Sequence, residues 1–217
     1  MAESSLSLDA RETDALAELV NLGVSRAAGA LRQLAGGQVS VTVPAVSLIS
    51  HAQAIEVLSQ TGHGPFAAVI QRFSGDFTGS ALLVVPQARL HTLTRVVLAE
   101  SAGPDDIGGM EDEVMAETGN IILNAYLGTI ANMLQRTLNV ALPEVLAGDG
   151  PAIFGHCAPA GGGDLVISQS IDFTLKARNV SGHLAMILDI PSLKAFKALL
   201  AEFGARAGIA GVTFNSA

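Results

Sequence analysis

The sequence predicts an α+β fold with an internal duplication, in which two long adjacent helices lie over a mostly antiparallel sheet. Three observations lead there. A helix-then-strand stretch occurs twice, each marked residue having its counterpart 99 positions on: Asp14 and Glu113, Glu18 and Glu117, Asn21 and Asn120, Gly29 and Gly128, Pro44 and Pro143. Two apolar strands followed by a proline and a helix also occur twice. Of the 217 residues 49% are apolar and 15% charged, a composition that buries a core. One domain spanning 1–217 is expected, with repeats at about 8–100 and 108–204 and pseudo-twofold symmetry, because neither half could cover both faces of its own elements.

Each element follows from its pattern. Asp9 with Glu12 three residues later reads as an N-cap and capping box. The helix they open runs to about Leu34, before Gly36-Gly37. Its Leu16, Leu19, Val20, Gly23, Ala27, Ala30, Leu31 and Leu34 fall on one side, and Asp14, Glu18, Asn21, Ser25 and Arg32 on the other. Val39, Val41 and Val43 alternate with polar residues, as in a half-buried strand, and Pro44 is expected to end it. Residues 52–60 read as a short helix and Gly62 to Pro65 as a turn. Phe66 to Phe73 and Thr78 to Val85 read as strands joined by Ser74-Gly75-Asp76. Pro86 opens a helix to about Glu100, and Ser101 to Gly109 is a polar connection.

The second long helix is expected over roughly Met110 to Arg136, with acids rather than a Ser or Thr cap in its first turn. Glu113, Glu117, Asn120 and Asn124 share its polar side; Met115, Ile122, Tyr126, Ile130 and Met133 lie on the other. Leu138, Val140 and Leu142 alternate like the first strand. Gly148 to Gly163 reads as loop, with a short strand near Ile153. Asp164 to Lys176 and Val180 to Ile190 form the second strand pair, and Pro191 opens a helix through Leu200 and Phe203.

Bulk properties exclude several function classes. A net charge of −8 with scattered Lys and Arg disfavours nucleic acid. Mean hydropathy is +0.45, but no apolar run reaches the ~18–20 residues of a spanning helix. The most apolar long stretch, Ile121 to Leu134, is interrupted by Asn124 and Asn132. The N-terminus has neither the basic start nor the apolar centre of a signal peptide. A cytoplasmic protein without membrane insertion is expected. Cys157 stands alone, and His51, His63, His91, His156 and His183 lack metal-ligand spacing, so no metal or cofactor of its own is expected. Gly161-Gly162-Gly163 lacks the Lys of a phosphate-binding loop and reads as a flexible loop.

Chemistry is concentrated in the repeated acidic and amide residues. On a helix, Asp14, Glu18 and Asn21 fall within an arc of about 60°, so one partner can touch all three. A Glu18 carboxylate there can pair with a cation on that partner. The Asn21 amide offers a donor and an acceptor together, and a carboxamide can hold a water in line with phosphorus without taking its proton. On one helix, such a face is what solvent exposure alone produces. Two copies argue otherwise, because exposed Glu and Asn have no packing role to preserve and Asn is a poor helix former. The reading is hydrolysis of a phosphoryl group on a partner protein.

The pattern Asp/Ser-x3-Glu-x2-Asn-x22-Pro resembles the signature of the CheC/CheX/FliY phosphatases of chemotaxis. DALAELVNLGVSRAAGAL resembles the first CheC signature and EDEVMAETGNIILNAYLG the second, so the resemblance covers nearly the whole chain. No added flagellar-switch domain of the FliY kind is seen, which makes CheC the best match and argues against a structural switch component. The resemblance implies removal of phosphate from an aspartyl-phosphate response regulator of the CheY kind. Glu18 and Glu117 would bind a regulator Lys, Asn21 and Asn120 would orient the attacking water, and Asp14 and Glu113 would assist docking. Mg²⁺ would belong to the regulator's own pocket, and the receptor deamidase CheD would be a second partner. The alternative is an adaptor of the same fold that binds a regulator or CheD without turnover. One departure is Glu113, where the pattern has Asp or Ser. With Asp105, Asp106, Glu111 and Asp112 it crowds the second copy with acids, so weaker docking of an acidic regulator site is expected there.

Overall fold

Among the described residues every long strand pairs antiparallel with its neighbours in one seven-stranded sheet, of order β1-β6-β7-β3-β2-β4, with β5 also on β2. The computed structural model describes residues 7–35, 39–61, 64–98, 109–158, 165–175 and 178–208. Its elements are α1 (Ala10–Ala35), β1 (Val39–Ser50), α2 (His51–Thr61), β2 (Phe66–Gly75), β3 (Gly79–Pro86), α3 (Gln87–Val97), α4 (Glu111–Leu134), β4 (Leu138–Val140), β5 (Glu144–Gly148), α5 (Gly150–His156), β6 (Leu165–Leu175), β7 (Arg178–Leu188) and α6 (Ile190–Ala207). The fold is α+β with a mostly antiparallel sheet, as the periodicities predict. The expected connection at 101–108 and the glycine loop at 161–163 lie outside the described residues.

Strand alternation splits the core into two layers. Ala67, Val69, Phe73, Ala81, Leu83 and Val85 face α1, α3, α4 and α6, while Ala68, Ile70, Leu82 and Val84 face α2 and α5. The first cluster draws on α1 and α4 alike. The Asp9 box forms: Asp9 N donates to Glu12 Oε2 at 2.9 Å and Glu12 N to Asp9 Oδ1 at 2.8 Å. The helix α1 buries Leu16, Leu19, Val20, Gly23, Ala27 and Leu31 and exposes Asp14, Glu18, Asn21, Ser25 and Arg32. Glycines set the two close approaches that seat α4. A Cβ at Gly23 would come 3.1 Å from the Tyr126 Cα, where α1 meets α4. A Cβ at Gly119 would fall 2.5 Å from the Val69 Cβ, where α4 meets β2.

Three expectations are corrected. Pro44 does not end the first strand; β1 continues through it to Ser50. Among the described residues β1 is a sheet edge, paired with β6 alone, where a residue without an N–H is tolerated. The register slips there: β1 advances from Thr42 to Ala45 while β6 advances only from Asp172 to Ser170, a bulge of one extra residue. The strand expected through Leu142 stops at Val140, and Leu142 is 91% exposed. Pro143 interrupts it, and β5 resumes on β2 with the same one-residue slip, Val140 to Glu144 against Phe73 to Ile70. Ile153 lies in α5, not in a strand. Asp149 caps that helix by accepting from Ala152 N at 2.8 Å, and Pro151 sits in its first turn.

Candidate functional site

On α1 the first candidate face is built as the helical wheel requires. Asp14, Glu18 and Asn21 are exposed one above the other, opposite the side buried on the sheet. Among the described residues the Asn21 side chain makes no hydrogen bond, so both ends of its amide are available to a partner. The side of α1 that meets α4 is a different one. It carries Gly23, against Tyr126, and Arg26, whose Nη1 donates to Thr129 Oγ1 at 3.2 Å.

The second candidate face begins in the acid-rich first turn of α4, where Met110 caps without a side-chain bond. Glu113 and Glu117 are exposed there, as Asp14 and Glu18 are on α1. Asn120 departs from its counterpart. It is half-buried, and its Oδ1 accepts from Asn124 Nδ2 at 2.7 Å and from Gln71 Nε2 at 3.2 Å. Gln71 Nε2 also donates to Asn124 Oδ1 at 3.3 Å. Two donors occupy the Asn120 oxygen, which leaves its Nδ2 as the end open to a partner. The contact between α1 and α4 through Gly23, Tyr126, Arg26 and Thr129 uses neither Glu/Asn pair.

Sequence reasoning missed Gln71. It stands at a position of β2 facing α4, 1% exposed, among apolar neighbours. The signal was available in the run Phe66-Ala-Ala-Val-Ile-Gln71: an amide in an apolar strand needs partners. Also missed was a polar cluster on the opposite sheet layer. Arg72 Nη1 donates to Glu144 Oε2 at 2.9 Å, and Glu144 Oε1 lies 2.9 Å from His156 Nε2. The His156 hydrogen bond, with Arg72 second, holds the Glu144 carboxyl below the usual range. Arg72 and His156 line a cleft of about 740 Å³ that also reaches Cys157, whose thiol burial pushes up to about 12. Such a thiol is inert at neutral pH. Among the described residues no three His, Cys, Asp or Glu side chains are grouped to hold a metal ion, and no helix is long and apolar enough to cross a membrane.

No family model matches the chain. It is 24% identical over 204 residues to the CheY-P phosphatase CheC of Bacillus subtilis (strain 168), covering 89% of this chain and 94% of that one. To CheC1 of Halobacterium salinarum it is 24% identical over 202 residues, covering 89% and 96%. Among solved structures, FliY of Thermotoga maritima superposes with a TM-score of 0.70 at 14% identity, covering 90% of this chain and 98% of that one. Over most of its length the chain is thus similar to CheC-type proteins. With FliY it shares the fold at low sequence identity.

Proposed function

We propose that this protein is a phosphatase of a CheY-like response regulator phosphorylated on aspartate. The observation that carries this reading is the presence of a Glu-x-x-Asn set on each long helix, with Glu18, Asn21 and Glu117 exposed and Asn120 half-buried, in a chain whose relatives over most of its length include a CheY-P phosphatase. Glu18 and Glu117 each offer a regulator Lys a carboxylate that no buried partner neutralises, with Asp14 and Glu113 one turn earlier to assist docking. Asn21 and Asn120 orient the water that attacks phosphorus. An aspartyl phosphate in a Mg²⁺-loaded regulator pocket already has its charge neutralised, so what it lacks is a water held in line. This protein supplies that positioning and needs no metal of its own. The reading includes a single domain of two like halves, a cytoplasmic setting, and CheD as a second partner.

Regulator binding and phosphate release, measured side by side, test the proposal. A CheY-type regulator of the same organism, activated with beryllofluoride, should bind wild-type protein and bind the Glu18→Ala/Glu117→Ala variant about tenfold more weakly. The same regulator, phosphorylated with acetyl phosphate, should lose phosphate faster in the presence of wild type. Binding without faster release would reject the phosphatase reading in favour of the adaptor.

A further inference from the structure

The amide cluster beneath the second face is poorly explained by packing. Gln71 is 1% exposed, and its Oε1 is buried with no hydrogen-bond partner among the described residues. A leucine would fill the same space in β2 without stranding a polar atom. What the glutamine does in exchange is specific. Its single NH₂ group bridges the oxygens of Asn120 and Asn124, at 3.2 and 3.3 Å, and Asn124 in turn donates to Asn120 at 2.7 Å. Gly119, pressed on Val69, brings α4 close enough to β2 for that reach. Ninety-nine residues on from Gln71 the sequence has Ser170, not a second glutamine.

We infer that Gln71 and Asn124 are positioning residues for Asn120, fixing its amide with the oxygen turned inward and the NH₂ toward the partner. The second site then differs in mechanism from the first. Asn21 can both donate to and accept from a water. Asn120, its oxygen already taken, holds the attacking water only by donating an N–H to one of the water's lone pairs, the other lone pair being aimed at phosphorus. This inference rests on the phosphatase reading above.

The experiment uses full-length protein and the acetyl-phosphate-labelled CheY-type regulator. In the Asn21→Ala background, where the second site alone reports, Gln71→Leu should lower kcat about tenfold with KM unchanged, because docking through Glu117 is untouched. In the Asn120→Ala background, where the first site reports, the same Gln71→Leu change has no amide to position and should alter the rate less than twofold. The thermal midpoint of Gln71→Leu should equal or exceed that of wild type, since a stranded oxygen is removed. Equal losses in both backgrounds would show a structural role and overturn the inference. So would an unchanged rate in the Asn21→Ala background, or an Asn21→Ala protein with no second-site turnover. Failure of wild type to accelerate decay would instead overturn the phosphatase reading, and the two failures are told apart by that control.

Discussion

Asn21 stands exposed on α1 beside a buried Val20, whereas Asn120 stands half-buried on α4 beside Gly119. Val20, at the position matching Gly119, is fully buried in the core. The glycine lets the α4 backbone settle onto Val69, and Asn120 settles with it into reach of Gln71. The close approach at Gly119 and the occupied Asn120 oxygen go together on α4, and neither has a match at Asn21. The same Glu-x-x-Asn spacing yields an open amide on one helix and a tethered one on the other.

The largest expected effect comes from erasing that difference. Gly119→Val, which writes the first helix's residue into the second, puts a branched side chain where even a Cβ falls 2.5 Å from Val69. It should destabilise the protein by about 3 kcal/mol, read from the denaturant midpoint at constant m-value. Gly23→Ala is the milder control: its Cβ would lie 3.1 Å from the Tyr126 Cα, and a cost of about 1 kcal/mol is expected. Equal costs for the two would mean that α4 is not seated more tightly on β2 than on α1.

Removing the amides one at a time sharpens the functional side of the comparison. Asn21→Ala should lower regulator dephosphorylation about tenfold and Asn120→Ala by only about a tenth, the two sites acting in parallel. Two arguments give that order: acids crowd the start of α4, and the Asn120 oxygen is already occupied. Equal or reversed losses in a phosphate-release assay would break it.

The smallest effect concerns a feature of the second half alone. Glu144, held by His156 and Arg72, ties β5 and α5 to β2, where the first half has Ala45 and Val57 at the matching positions. Its carboxyl titrates below the ordinary value of 4.5 in the folded protein. The unfolded chain therefore takes up the proton first. The stabilisation is present above the ordinary carboxylate range and is lost as pH falls through the lowered folded value. Thermal midpoints of wild type and Glu144→Gln should differ modestly at pH 7 and converge in acid. The cluster is solvent-exposed, so a large gap is not expected.

Much of this architecture was legible before the structure. The 3.6-residue periodicity of Leu16, Leu19, Gly23 and Ala27 and the capping box at Asp9 gave α1. The apolar runs before Pro86 and Pro191 gave the two central hairpins and the helices after them. Where reading failed, local pattern and tertiary setting disagreed. Leu138, Val140 and Leu142 alternate correctly, but Pro143 cannot donate, so the strand breaks and restarts at Glu144. Pro44 has the same defect, yet β1 runs on, because the six residues after the bulge, Ala45 to Ser50, all pair with β6. Asp149-Gly150-Pro151 reads as a loop until the Asp149 carboxylate is seen to cap α5. The Glu and Asn positions were visible through their repetition. The tether on Asn120 was not, since Gln71 is 49 residues away in sequence and only the fold brings it near.

The decisive measurement is the decay rate of a phosphorylated CheY-type regulator of the same organism, alone, with wild-type protein, and with the Asn21→Ala/Asn120→Ala variant. The account predicts faster decay with wild type and none of that acceleration with the double variant, while the variant still binds the beryllofluoride-activated regulator. Acceleration that survives the loss of both amides would contradict the central claim and move the chemistry elsewhere on the molecule.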